Sequence, residues 1–298
     1  MREESQKEKP QAVDARTEFP THYVLTQEEY LSVIEQVRLD RLVVAWSMKR
    51  SGAHGIVIWL LGHFDKEDVH YYNETHYNNK LRGRILRGRP QLLVGKRNCV
   101  IGVEDRDFLE VSKFDTFDEL LSFEKLDDKA KSIFNIIVLR NPFNMFASRM
   151  KSVRNAIQDL PADLDPKKRQ DKIEKWHHMY VSQHAVGMWK SFANEFLGRT
   201  NKLSHRVPVS FDRWYVSEDY RREIAARFEL QFTDQARNRL SQFGSSFDGN
   251  KYLHNASEMD VLNRWQYYRE DEEYIELMSD PEMLDLTEEI FGFVPFRP

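Results

Sequence analysis

Lys49, Arg50, Ser51 and Gly52 stand together in "WSMKRSGAHG" (46–55), between the apolar runs "RLVV" and "IVIWLLGHF". Two cations, a hydroxyl and a glycine ahead of a helix suit an anion. A helix N-terminus offers unpaired amides and partial positive charge, and Gly52, Ala53, His54 and Gly55 would supply those amides. A plain polar loop is the alternative. The stretch is not a Walker A motif, because G-x-x-x-x-G-K-[ST] is absent.

A second set is Arg140 and Ser148 in "IIVLRNPFNMFASR". Arg140 leaves the end of an apolar run, and Ser148 falls two turns into the following helix, so the two could flank one phosphate. Candidates for a base are Glu104 in "GVEDRDF", at a strand's carboxyl end, and His54 inside the loop. Glu104 has a structural alternative, as partner to Lys49 or Arg106. His70, His76, His177 and His178 also remain open, since a base needs only a modest pKa shift to work near neutrality. No metal is expected. His177 and His178 are adjacent and do not share a helix face, and His184 is seven residues beyond His177.

The elements that must position these groups read as alternating strands and helices. "LVVAW" (42–46), "CVIGV" (99–103), "IFNIIVL" (133–139) and "RVPVSF" (206–211) are apolar runs of buried strands, with "VHYYNE" and "QLLV" as shorter ones. Helices are expected over "TQEEYLSVIEQVRL", "HGIVIWLLGHF" and "TFDELLSFEKL", the first and third opened by capping-box spacings (Thr26 with Glu29, Thr116 with Glu119). Others are expected after Arg140 with Pro142 in the first turn, from Ile173 to Leu197, over "SEDYRREIAARF", near 258–269 and near 281–291. The pattern predicts an α/β fold: one domain over 21–298, with a central, mostly parallel sheet flanked by helices and a P-loop-like phosphate-binding turn. Residues 1–20 read as a disordered leader, and 154–172, charge-dense and twice interrupted by proline, as a mobile excursion or lid. In such a sheet ligands bind beyond the carboxyl ends of the strands. The residues there are Ser47 to Gly52, Glu104 with Asp105, Arg140 with Asn141, and Asp212.

Composition narrows the class. The 298 residues carry a net charge of −4 with 31% charged residues, which disfavours a general nucleic-acid binder. Cys99 is the lone cysteine, so neither an intrachain disulfide nor a cysteine zinc site is available. No run approaches the roughly 20 apolar residues of a membrane span. The expectation is a soluble, cytoplasmic protein.

The two anion motifs resemble those of the sulfotransferase family that uses 3′-phosphoadenylyl sulfate (PAPS). "KRSGAH" is similar to the family's 5′-phosphosulfate loop, with Arg50, Ser51 and Gly52 on its basic-Ser-Gly core; Lys49 stands where proline is common. "IIVLRNPFNMFASR" resembles its 3′-phosphate segment through Arg140 and Ser148. "FGSSFDGNKY" (243–252) is a fainter echo of a segment folded over the nucleotide, with Ser245, Ser246 and Phe247, and it lacks the Arg-Lys-Gly triplet of cytosolic members. The resemblance spans about residues 40 to 295. It implies metal-free, in-line transfer of a sulfuryl group from PAPS to a hydroxyl or amine of a small molecule, leaving adenosine 3′,5′-bisphosphate. Lys49 and Arg50 would meet the leaving-group oxygens, Ser51 and the Gly52 to Gly55 amides the 5′-phosphate, and Arg140 with Ser148 the 3′-phosphate. Trp214, Phe247 or Tyr252 could stack on adenine. The acceptor would be bound by the loops 65–98 and 154–172, and "DVHYYNETHYNN" suits a polar or cationic natural product. The basic cluster "GRILRGRP" (83–90) reads as solvated loop charge. Alternatives are a P-loop kinase or nucleotide phosphotransferase, which would depend on Mg²⁺, and a non-catalytic nucleotide-binding protein.

Overall fold

Among the described residues, five strands form one all-parallel sheet in the order β2-β3-β1-β4-β5. They are β1 (Leu39–Ser47), β2 (Val69–Glu74), β3 (Asn98–Glu104), β4 (Ala130–Leu139) and β5 (Arg206–Ser210). The computed structural model describes residues 27–74, 90–105, 126–239, 247 and 256–297. The expectations for the leader, Thr26, His76, most of the 83–90 cluster, Arg106, the 116–126 helix, Ser245, Ser246 and Tyr252 lie outside these residues.

Strand alternation divides the core into two layers. Leu42, Val44 and Trp46 of β1, Ile101 and Val103 of β3, and Ile137 and Leu139 of β4 face one layer. Val43, Ala45, Val100, Ile136 and Val138 face the other. Central strands covered on both faces must be apolar at every position, which is why these runs are continuous and not alternating.

The second layer is completed by α2 (Ala53–Leu61), α6 (Phe211–Val216) and α7 (Glu218–Arg227). The first is completed by α1 (Gln27–Ile34), α3 (Pro142–Gln158), α5 (Gln183–Phe196), α8 (Glu272–Leu277) and α9 (Pro281–Phe291), with α4 (Pro166–Tyr180) lying over it. The helix after β1 therefore covers one face, and the helix after its neighbour β4 covers the other. The carboxyl ends of β1 and β4 are therefore the topological switch point of the sheet. Pro142 opens α3 as expected, and the Asn141 side chain caps it by accepting from the Phe143 amide at 3.1 Å.

Three local expectations differ. The helix read over 173–197 is two helices, broken at Val181 and Ser182, both outside helical geometry. Residues 154–172, the expected mobile excursion or lid, comprise the end of α3, a short turn and the first half of α4, with Pro161 in the turn and Pro166 at the helix start. "QLLV" belongs to a 3-10 turn, Pro90–Leu93, because four apolar residues fit a helical turn as well as a strand. The helix read near 258–269 is two 3-10 turns, Ala256–Glu258 and Arg264–Tyr268.

Candidate functional site

The turn between β1 and α2 is held in a tight left-handed path. Arg50 has φ 71° and Gly52 φ 85°. A Cβ on Gly52 would come within 2.2 Å of the Phe211 ring, so Phe211 and the positive φ both require glycine there. Gly55 is under less pressure, since a Cβ would meet Trp214 at 3.6 Å, an ordinary contact.

Asp105, just past β3, pins the turn from the side. Its Oδ1 accepts from the Lys49 amide at 2.9 Å and pairs with the Arg149 guanidinium, which is 1% exposed. Arg149 also donates from Nε to the Lys49 carbonyl at 3.0 Å. The strand-exit carboxylate that secures the loop is thus Asp105. Glu104 instead faces His54, Nδ1 to Oε1 at 3.5 Å.

The loop cations are positioned by α3 and α4. Lys49 Nζ donates to the Tyr180 hydroxyl at 2.8 Å, and Arg50 donates to Ser152 Oγ at 2.6 Å. Burial lowers the pKa of Arg50 from its ordinary value, while nearby Glu104 opposes that shift. Ser51 Oγ is buried and has no hydrogen-bond partner among the described residues. A buried hydroxyl left unpaired is costly, and an acceptor held by the turn would relieve that cost.

Arg140 sits beneath the turn, 2% exposed. It donates to the Arg50 carbonyl at 3.0 Å and to the Val261 carbonyl, and lies 3.5 Å from Ser148 Oγ; its Nε is buried and unpartnered. Burial pushes its pKa down to about 10, opposed by Asp212, whose carboxylate accepts from the Asn141 amide at 2.9 Å. Ser148 Oγ also receives Arg264 Nη1 at 3.1 Å. The Arg264 guanidinium lies over the Phe247 ring at 4.7 Å, with Lys151 Nζ over the same ring at 4.1 Å.

The structure therefore gathers Lys49, Arg50, Ser51, Gly52, Ala53, His54, Gly55, Arg140, Ser148 and Phe247 around the strand ends. Glu104 lines a small pocket on the α2 side with His54, Asn73 and Tyr71, with enclosed room for about one water. The other candidate histidines among the described residues lie elsewhere. His177 meets Glu273 at 3.2 Å, His178 stacks on His184 across the helix break with centroids 4.7 Å apart, and His70 packs edge-on against Tyr72. Among the described residues, no three His, Cys, Asp or Glu side chains converge as a metal site. Trp214 is core, 2% exposed and against Phe211 and Trp59. Sequence reading missed Arg264, Lys151, Ser152 and Asn73. Ser152 had a signal, one turn beyond Ser148 on α3; Arg264 had none, lying 116 residues from the serine it meets.

The chain matches no protein-family model and no curated protein. Among solved structures it is similar to mouse sulfotransferase SULT7A1 complexed with PAP, at 12% identity and a TM-score of 0.45, over 89% of this chain and 94% of that one. It is also similar to polyphosphate kinase 2 from Arthrobacter aurescens TC1, at 13% identity and a TM-score of 0.30, over 68% of this chain and 77% of that one. Likenesses this distant carry no weight in assigning an activity. No helix among the described residues is long and apolar enough to cross a membrane.

Proposed function

We propose that this chain is a sulfotransferase that moves the sulfuryl group of PAPS to a hydroxyl or amine of a small-molecule acceptor. The observation that carries the reading is the unpaired, buried Ser51 hydroxyl, set between two cations and the first turn of α2. Arg140 Nε, a second buried and unpaired donor, belongs to the neighbouring strand exit. Two such donors, separated by the turn, suit a ligand carrying anionic groups at two points, as an adenosine 3′,5′-bisphosphate does.

The donor, when bound, supplies a sulfuryl group whose transfer leaves negative charge on a phosphate. The chain's own residues meet that demand by position and charge. Ser51 and the amides opening α2 hold the 5′ end. Lys49 and Arg50 offset charge on the leaving oxygens, at the cost of their contacts to Tyr180 and Ser152. Arg140, Ser148 and Arg264 hold the 3′-phosphate, with Phe247 beside them. Glu104 takes the acceptor's proton. Burial pushes its carboxyl up from the ordinary glutamate value, and His54 holds it down, a balance that favours a carboxylate basic enough for this step.

The test is turnover. The protein, given PAPS and a panel of alcohols, phenols and amines, should release adenosine 3′,5′-bisphosphate in step with a sulfated product. Phosphoryl transfer from ATP with Mg²⁺, with no release from PAPS on any acceptor, would reject the assignment.

A further inference from the structure

Asn73 lies next to last in β2, opposite Gly102 of β3, on the face that carries Tyr71, Glu104 and α2. Its Oδ1 accepts from the Tyr71 hydroxyl at 3.1 Å and stands 3.2 Å from His54 Nε2. Gly102 makes this possible, because a Cβ there would sit 3.0 Å from the Tyr71 oxygen. An amide oxygen already serving as acceptor makes a favourable contact with the imidazole only if Nε2 carries hydrogen. Nδ1 is then the other nitrogen, and it faces Glu104 Oε1 at 3.5 Å. A bare Nδ1 opposite a bare carboxylate sets two acceptors against each other. One hydrogen between them removes the conflict.

We infer that Asn73, braced by Tyr71, is a positioning residue that fixes His54 as an Nε2 donor, so that His54 Nδ1 and Glu104 share a single proton. Its catalytic consequence rests on the sulfotransferase reading. As the shared hydrogen passes to His54 Nδ1, which becomes imidazolium, the other oxygen of the Glu104 carboxylate receives the acceptor's proton. The acceptor O–H bond breaks as O–H forms on Glu104. The new bond from acceptor oxygen to sulfur forms as the sulfur–oxygen bond to the phosphate breaks, and the bisphosphate leaves with the electron pair. The charges around the pair are Asp105, which raises the carboxyl's pKa, Lys49 and Arg149, which lower it, and Arg50, whose own pKa Glu104 holds up. Tyr71 stays neutral, its phenol pushed up by burial and by Glu104.

The test is nitrogen-15 NMR of histidine-labelled whole protein, with His54 assigned by His54→Gln, which reports the hydrogen on each ring nitrogen with no donor or acceptor present. Wild type at neutral pH should show a hydrogen on His54 Nε2 and a partly protonated Nδ1. In Glu104→Gln, whose amide can donate, Nδ1 should become a bare acceptor. Asn73→Asp should keep the Nε2 hydrogen, and Asn73→Leu should lose its fixed tautomer. An Nδ1–H tautomer with bare Nε2 in wild type would overturn the inference. So would an unchanged Nδ1 in Glu104→Gln, or an Nε2 hydrogen fully kept in Asn73→Leu. If PAPS proves to be the donor, Glu104→Gln should slow transfer by about 10²–10⁴-fold. A correct tautomer without PAPS turnover leaves the proton arrangement standing and removes only its use.

Discussion

Removing the Asp105 carboxylate should cost the protein far more than an ordinary surface ion pair is worth. Arg149 is 1% exposed and the Asp105 side chain 10% exposed, so the pair is shielded from water. Asp105→Ala deletes the partner of a buried guanidinium together with the acceptor of the Lys49 amide. A charge-assisted bond is worth about 1.5–3 kcal/mol and a bond to a neutral amide about 1 kcal/mol. Breaking a buried pair from one side costs about 3–5 kcal/mol, because the remaining charge is left uncompensated. Arg149 keeps its bonds to the Lys49 and Met179 carbonyls, which places Asp105→Ala near the lower end, about 3 kcal/mol. Asp105→Asn retains an oxygen acceptor and a residue tolerant of the observed φ of 51°, so its cost should be about 1–2 kcal/mol. Urea unfolding of both variants, of Arg149→Met and of Asp105→Ala/Arg149→Met gives a double-mutant cycle. The double variant should be clearly less destabilised than the sum of its parts, by about 2 kcal/mol. Strict additivity, or a cost below about 1 kcal/mol for Asp105→Ala, would refute the claim that this pair anchors the turn.

Gly52→Ala should destabilise by about 2–4 kcal/mol, from the positive φ and the clash with Phe211; in a Phe211→Ala background the increment should fall to about 1–2 kcal/mol, as urea melts would show. Glu104→Gln should alter the pH dependence of stability. Burial raises the folded pKa of Glu104, so its stabilising share is complete below the unfolded value of about 4.3 and is lost as pH rises through the raised one. Thermal melts should therefore show Glu104→Gln gaining on wild type at pH 7 relative to pH 4, and an advantage that grows toward acid would contradict the sign. Arg264→Met should weaken adenosine 3′,5′-bisphosphate by about 10-fold or more, the worth of one charge-assisted bond, while Arg269→Met, on an exposed pair with Glu270, should leave it unchanged in the same titration.

Much of the sheet was legible because burial on both faces leaves an unbroken apolar run. β1, β3 and β4 could hardly be read otherwise, and their exits are where the candidate residues were looked for. Punctuation was legible in part: Pro142 marked the start of α3, whereas the caps by Asn141 and by Ser217, which accepts from the Tyr220 amide, were not read. The division of α4 from α5 was not. Trp176, Tyr180, His184 and Met188 keep helical spacing across it, and the break at Val181 and Ser182 carries neither glycine nor proline. Its consequence, Tyr180 turned toward Lys49, was equally hidden. The supporting shell escaped for a common reason. Asp105 with Arg149, Ser148 with Arg264, and His54 with Asn73 are brought together by the sheet order and the helix packing, and a linear reading contains neither.

The measurement closest to the central claim is calorimetric titration of wild type and Ser51→Ala with adenosine 3′,5′-bisphosphate, with and without Mg²⁺, beside ATP with Mg²⁺. Because Ser51 Oγ bonds to nothing among the described residues, its removal should leave stability within about 1 kcal/mol of wild type or raise it. The account predicts bisphosphate binding that needs no metal and weakens about 10-fold in Ser51→Ala, the worth of one bond to a charged ligand. Affinity unchanged by the substitution, or binding of ATP with Mg²⁺ in place of the bisphosphate, would contradict it.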